Sequence, residues 1–198
     1  GGDGQINSIA IADGNVVMSS VVHTQIEDHA AWGGVVPEIA GRSHLRAIRP
    51  VIEQALQEAG ITHQELAGIA VTNRPGLLGS LLIGTTAAKA LAWAWEKPLV
   101  GVHHIEAHIY AALMTIEKPQ FPFITLVVSG GHTSLYRTTS PLDHELLGCT
   151  RDDAAGEALD KAAKMLGLGY PGGPAIQKAA QEGDPKAFPF KLPLLSRD

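Results

Sequence analysis

At 198 residues the chain is long enough for one large domain or two small ones, and 45% hydrophobic content with 22 Gly and 12 Pro describes a compact α/β protein rich in turns. A net charge of −5 excludes a globally basic nucleic-acid binder, so any RNA contact has to use a local patch or a partner protein. One cysteine, Cys149, excludes an internal disulfide and fits a reducing compartment, and no apolar run approaches the ~20 residues that span a bilayer. The expected location is the cytoplasm, with no membrane partner. The opening GGDGQ lacks a methionine and reads as an altered or truncated start.

Ser8 to Ala12 and Val16 to His23, separated by Asp13-Gly14-Asn15, predict strand, tight turn, strand. Ala30 to Glu38, with Gly33, Gly34 and Pro37, reads as a loop. A helix is predicted from Ser43, a fitting N-cap, to a stop at Gly60, with Leu45, Ile48, Ile52, Ala55, Leu56 and Ala59 as its apolar stripe. Pro50 inside that run predicts a kink or a later start. Arg42, Arg46 and Arg49 share one side of it; a solvated face is the ordinary reading and an RNA phosphate contact the sharper one.

Thr62 and Glu65 have capping-box spacing, and Ile69 to Thr72 reads as a short buried strand. Residues 74–95 begin as a turn and continue as an almost wholly apolar helix, which belongs at the centre of a core or at a subunit interface. This is not a Walker phosphate loop: after Gly79 and Gly84 that motif needs Lys at position 85, where Thr85 stands.

Leu99 to Val102 reads as the end of a buried strand running into a helix that carries His104 and His108. At 3.6 residues per turn this spacing puts both imidazoles on one face with their ring nitrogens able to converge, and neutral imidazole is the commonest protein ligand for a transition metal. An isolated H-x-x-x-H is more often a pair of histidines satisfied by backbone or solvent. A zinc-protease helix is excluded, because it needs Glu directly after the first His and the order here is His104-Ile105-Glu106-Ala107-His108.

Phe123 to Val128 predicts a central strand, followed by the bend Ser129-Gly130-Gly131-His132-Thr133 and a strand from Ser134 to Thr138. Two glycines there permit the positive φ angles of a tight hairpin and leave N–H groups free to face an anion, although an ordinary turn is the commoner meaning. Asp152 and Asp153 start a helix whose buried side is Ala155, Leu159, Ala162 and Leu166, with Asp160 beside that face. Gly167 to Gly169 stop it, Tyr170 to Pro174 form a backbone-exposing turn, and Pro174 opens another helix. The small residues let the chain pass close to a flat ligand such as a nucleoside; ordinary capping explains much of the same pattern.

Three separated segments, VHHIEAH (102–108), VVSGGHT (127–133) and DDAAGEALDKAAKMLGLGYPGGPAI (152–176), resemble the tRNA N6-adenosine threonylcarbamoyltransferases, a family in the superfamily of actin, the heat-shock ATPases and the sugar kinases. WGGVVPEIAGRSHL (32–45) and PGLLGSL (75–81) resemble it as well, and the similarity runs from about Ile9 onward, closest to the bacterial and organellar branch. The resemblance implies an α/β two-lobed fold, with a first lobe at 1–115 whose first strand is altered or missing and a truncated second lobe at 120–198. It implies that His104 and His108 are ligands of one divalent metal ion, iron(II) or alternatively zinc. It further implies that Val127, Val128, Ser129, Gly130 and Gly131 cradle the phosphate of an adenylate, that Asp160 hydrogen-bonds its ribose, and that Gly172 and Gly173 lie against the nucleoside.

The implied reaction moves a threonylcarbamoyl group from threonylcarbamoyl-AMP to the exocyclic amine of the adenosine beside the anticodon, in tRNAs reading codons that begin with A. Implied partners are tRNA, a non-catalytic paralogue and an ATPase of the transfer complex; separately, the unpaired edge and apolar surface expected of a truncated second sheet would be covered by a second copy of the chain or by a partner subunit. Three departures bear on this. An opening Glu-Thr-Ser-Cys-Asp-Asp-like run is replaced by GGDGQIN; the usual Ala-Gly before Pro75 is Asn73-Arg74; and the chain ends at Asp198, before the Asp that completes the family's metal site. Two His ligands without that carboxylate make a weak site, so the 198-residue chain is expected to show little transferase activity by itself. The competing expectation is a truncated or degenerate paralogue acting as a nucleotide-binding scaffold, which retention of the His pair argues against. A phosphotransferase of the same superfold is a weaker third, since it would not need that pair.

Overall fold

The computed structural model describes residues 6–14, 16–25, 36–115 and 117–189; the opening GGDGQ, the Asn15 of the first turn and Trp32, Gly33 and Gly34 of the predicted loop lie outside them. Strands β1 (Ile6–Asp13) and β2 (Val16–Thr24) pair antiparallel, from Ile6↔Thr24 to Asp13↔Val16. Gly14 between them sits at φ 57°, which a residue without Cβ enters freely. Ile11 and Val21 point from this hairpin onto helix α1 (Pro37–Ala59), where Ala47, Val51 and Ala55 complete a buried cluster.

α1 begins six residues before the predicted Ser43, because Pro37 at the first helical position brings a suitable φ and Glu38 adds a favourable charge in the first turn. The earlier start changes the phase of the buried stripe. It runs through Ala40, His44, Ala47, Val51 and Ala55, whereas Leu45, assigned to the core from the sequence, is 67% exposed. The helix continues through Pro50, so a later start is excluded, and it stops at Gly60 in the left-handed conformation, φ 69°. Arg42 pairs with Glu38 at 2.6 Å and Arg49 with Glu53 at 2.7 Å, both one helical turn apart and exposed. That is the geometry of a solvated face, where solvent screens the pairs and they add little to stability.

After a 3-10 turn closed by the Thr62–Glu65 capping box, β3 (Ile69–Arg74) and β4 (Leu99–His103) pair in parallel, with helix α2 (Leu78–Ala94) as the crossover that parallel strands require. The unexpected Asn73-Arg74 pair coincides with a register shift between Thr72 and Arg74, and the Asn73 amide lies against Gly101, where it would have to swing aside for a Cβ. α2 packs on α1 and β3, meeting them at Ile83–Gly41 and Gly84–Val71. It does not occupy the centre of a core within this chain: only Ala88 and Ala92 are buried, and Leu78, Leu82 and Trp93 are open.

β4 passes directly into helix α3 (His104–Leu113). The third sheet is antiparallel in the order β5 (Phe123–Val128), β6 (Thr133–Ser140), β7 (Asp143–Cys149); the sequence predicts its first two strands and not the third, and β5, predicted to be central, stands at an edge because β6 pairs with the unpredicted β7. Ile105 and Ile109 of α3 close on Val127, with Phe123 and Tyr136 beside them, to make a second buried cluster. Helices α4 (Ala155–Met165) and α5 (Gly172–Ala179) follow and pack on each other, and a 3-10 turn (Ala180–Glu182) continues from α5. The predicted buried side of α4 is corrected: Ala163 is the fully buried residue, and Leu159 and Leu166 are exposed. The helix turns its smallest side chains inward because its first two turns lie against backbone, at Gly130 and Gly172.

Candidate metal and adenylate site

The start of α3 is built by its own preceding residue. His103 ends β4 in an extended conformation, and its Nδ1 accepts the backbone N–H groups of Ile105 at 3.2 Å and Glu106 at 3.5 Å. An imidazole thus does the capping that Ser or Asp usually does. Burial of Ile105 and Ile109 against β5 then fixes the roll of the helix. His104 and His108, each one residue earlier, are carried together to the neighbouring face.

Their Nε2 atoms stand 3.2 Å apart, with ring centroids 4.5 Å apart and planes at 69°. One reading is a hydrogen bond between two neutral rings, one donating and one accepting. The other is a chelating pair: two nitrogens at about 2.0–2.1 Å from one ion are separated by about 2.9 Å at a right angle and about 3.3 Å at the tetrahedral angle. The observed Nε2 separation falls inside that interval, while the 4.5 Å between centroids is about 0.5 Å short of the ~5 Å of two rings on one tetrahedral ion, so a small outward tilt of one ring brings the pair to chelating geometry. Among the described residues no trio of His, Cys, Asp or Glu is arranged to hold a metal.

The β5–β6 bend comes next to this pair. His132 places its ring centroid 6.3 Å from that of His104. The bend is closed by Ser129: its N–H donates to the His132 carbonyl at 2.8 Å, and its Oγ accepts from His132 N at 3.0 Å and Gly131 N at 3.3 Å. Neither Gly130 nor Gly131 has a left-handed φ, so the expectation of a hairpin built on positive φ is corrected; the Ser129 hydroxyl closes the bend instead. A Cβ at either glycine would meet nothing within 4 Å. The fold therefore does not require glycine at these two positions, and the bare backbone leaves space beside the bend. Of the predicted phosphate residues, Val127 turns its side chain into the second core cluster and Val128 turns its own outward, so only their backbone could serve a ligand.

Helix α4 is held against this bend at its first turn. Ala155 N donates to Thr133 Oγ1 at 2.8 Å and Gly156 N to the Ser129 carbonyl at 3.1 Å. A Cβ on Gly156 would stand 2.7 Å from Gly130 Cα, so here glycine is a packing requirement. One turn on, Asp160 Oδ1 accepts the Gly172 N–H at 2.7 Å and so holds the start of α5. Gly172 is also a packing glycine, with a Cβ position 2.5 Å from Asp160 Cα, whereas a Cβ on Gly173 would meet only Leu159 Cδ1 at an ordinary 3.7 Å. Lys161 bridges Asp153 at 2.6 Å and Glu157 at 3.0 Å on the outer side of α4, and its ammonium is held above the usual lysine range by those hydrogen bonds, Asp153 first.

The structure thus brings His104 and His108 to the Ser129–Gly131 bend, and packs the bend and the Gly172-Gly173 corner against successive turns of α4. Sequence reasoning missed His103 as a cap, His132 as a neighbour of the pair, and the split of glycines into packing and open positions. His103 at the residue before a helix and His132 directly after two glycines were the available signals.

The family model for tRNA N6-adenosine threonylcarbamoyltransferase, TsaD, matches residues 16–198. The chain belongs to that family. Relatives bearing the same description include proteins from Desulforapulum autotrophicum, 53% identical over 188 residues, and Anaeromyxobacter dehalogenans, 56% identical over 180 residues. The matched regions cover 95% and 91% of this chain but 56% and 54% of those relatives, so this threonylcarbamoyltransferase-family chain spans about half their length. Among solved structures, YeaZ from Pseudomonas aeruginosa overlaps 73% of this chain and 59% of its own, at a TM-score of 0.47 and 16% identity. No helix among the described residues is long and apolar enough to cross a membrane.

Proposed function

We propose that the protein transfers the threonylcarbamoyl group of threonylcarbamoyl-AMP to the N6 amine of the adenosine beside the anticodon, in tRNAs reading codons that begin with A. In this reading the fold is a two-lobed one of the actin and sugar-kinase type and the setting is the cytoplasm. The N6 nitrogen attacks the carbamoyl carbonyl, a C–N bond forms, the C–O bond to the phosphate breaks, AMP leaves and the amine loses a proton. The substrate is already activated as a mixed anhydride, so the protein's task is to orient it and to stabilise charge on the carbonyl and the departing phosphate.

His104 and His108 would hold one divalent ion, iron(II) or zinc, and that ion supplies Lewis-acid polarisation of the carbonyl oxygen. The Ser129–Gly131 bend offers open backbone to the phosphate, and the bare Gly173 turn offers a flat surface to the nucleoside. Asp160 has one oxygen committed to Gly172 and would use Oδ2 for the ribose. tRNA, a non-catalytic paralogue, an ATPase and a second copy of the chain are the proposed partners, and the exposed face of α2 is apolar enough to take one of the proteins.

The observation that carries this reading is the 3.2 Å separation of the two Nε2 atoms beside the glycine bend. Metal analysis of the purified chain tests it: stoichiometric metal, lost on His104→Ala, is the expected result. A metal-free wild-type chain that still binds AMP would instead favour the scaffold paralogue. Complementation of a strain lacking the tRNA modification, by the gene that encodes this chain, tests the transfer itself.

A further inference from the structure

Besides the His103 ring that caps α3, a further imidazole stands beside the His104–His108 pair. His132 stands with its ring centroid 6.3 Å from that of His104 and its plane at 63° to it. Two imidazoles sharing one tetrahedral ion through bonds of about 2.0–2.1 Å have centroids about 5 Å apart, so His132 lies roughly 1 Å too far out to be a direct ligand. The excess is the kind of gap that a hydrogen bond to an oxygen held at the ion fills.

We propose that His132 is a positioning residue one hydrogen bond beyond the His104–His108 pair, binding an oxygen atom, of water or of an acyl substrate, that the pair's ion holds. This inference rests on the reading of the pair as a metal site. Two features support the placement. The ring is rooted in a bend whose shape comes from backbone bonds, Ser129 N to His132 O at 2.8 Å and His132 N to Ser129 Oγ at 3.0 Å, so the imidazole is not what closes the bend. The neighbouring Thr133 is in turn fixed by Ala155 N at 2.8 Å, which ties the root of the ring to α4. Outer partners of this kind orient what a metal binds, and their loss costs about 10–100-fold in metal affinity.

The competing account is edge-to-face ring packing without any role for the nitrogens, and an isosteric test separates the two. Cobalt(II) is titrated into the chain in competition with a chromophoric chelator, and its visible spectrum is recorded for wild type, His104→Ala, His132→Phe and His132→Asn, with far-UV circular dichroism as the check on folding. Expected is uptake by wild type, none by His104→Ala, and affinity about 10–100-fold weaker with an altered cobalt spectrum in His132→Phe. His132→Asn, which keeps a polar atom near the gap, should recover most of the loss. If wild type and His104→Ala alike take up no cobalt, the pair itself is not a metal site and this inference falls with it. If uptake depends on His104 while His132→Phe matches wild type in affinity and spectrum, this inference alone is overturned. Should His132→Phe fail to fold, His132→Ala is read by the same criteria.

Discussion

Replacing Gly156 with alanine should unseat helix α4 from the glycine bend. The added Cβ would stand 2.7 Å from Gly130 Cα, 2.8 Å from Gly130 N and 2.8 Å from the Ser129 carbonyl oxygen. All three are backbone atoms, so no side chain can swing aside; the helix has to retreat by about 0.8 Å to reach ordinary carbon contact of ~3.5 Å. That retreat breaks the 3.1 Å bond from Gly156 N to Ser129 O, a loss of about 1 kcal/mol. Residual crowding adds about 1–3 kcal/mol. Against this, alanine in a helix gains about 1 kcal/mol over glycine. The net expectation is a destabilisation of about 1–3 kcal/mol, read as a lower urea midpoint at unchanged slope. Gly79→Ala in α2, where a Cβ would meet nothing within 4 Å, is the control and should be neutral or stabilising by up to ~1 kcal/mol. A Gly156→Ala protein as stable as wild type would refute the packing argument.

Three further outcomes are expected. His103→Ala removes the cap from the Ile105 and Glu106 N–H groups and should lower stability by about 0.5–2 kcal/mol in thermal melts, with His103→Asn restoring most of it. Asp160→Asn keeps an acceptor for Gly172 N, so urea stability should hold while binding of AMP, followed by calorimetry, weakens; equal AMP binding would remove Asp160 from the ribose role. The Thr62 backbone N–H, and then its hydroxyl, hold the Glu65 carboxyl below the usual glutamate range. A depressed folded-state value means this contribution is fully present above the ordinary glutamate value and is lost as pH falls through the folded one. Glu65→Gln should therefore flatten the acid side of the stability profile, and an unchanged profile would show that the capping box is not what titrates.

Much of the architecture was written in local chemistry. The apolar runs at 69–72 and 123–128, the stop at Gly60 and the Thr62–Glu65 box each depend on neighbours in sequence, and each forms the expected element; where the two strands lie does not follow expectation, since 69–72 is only half-buried and 123–128 is at the edge of its sheet and not at its centre. Helix phase was harder. Leu45, Leu159 and Leu166 were assigned to buried faces because leucine is usually inside, yet α1 buries Ala40, Ala47 and Ala55 and α4 buries Ala163. Close approach of helix to strand or backbone selects the small side chain, and periodicity alone cannot tell which of two adjacent apolar rows will be chosen.

The site divides in the same way. The His104–His108 pair was legible from spacing, since a helix converts four residues into one face. That His132 would stand beside it was not, because the contact joins two elements through the second core cluster. Glycine was the least legible of all: Gly130, Gly131, Gly156 and Gly172 look alike in sequence, and only the space around each tells a tightly packed position from an open one.

The stretch from Gly156 to Asp160 has one permitted length. Its first residue touches the bend and its last holds the corner, about 6 Å further along the axis at 1.5 Å per residue. Adding or removing a single residue there would swing one contact about 100° away from the other, while the same change between β6 and β7 would leave both where they are. Natural length variation should accordingly collect in the surface turns of the β5–β7 sheet and be absent from this interval.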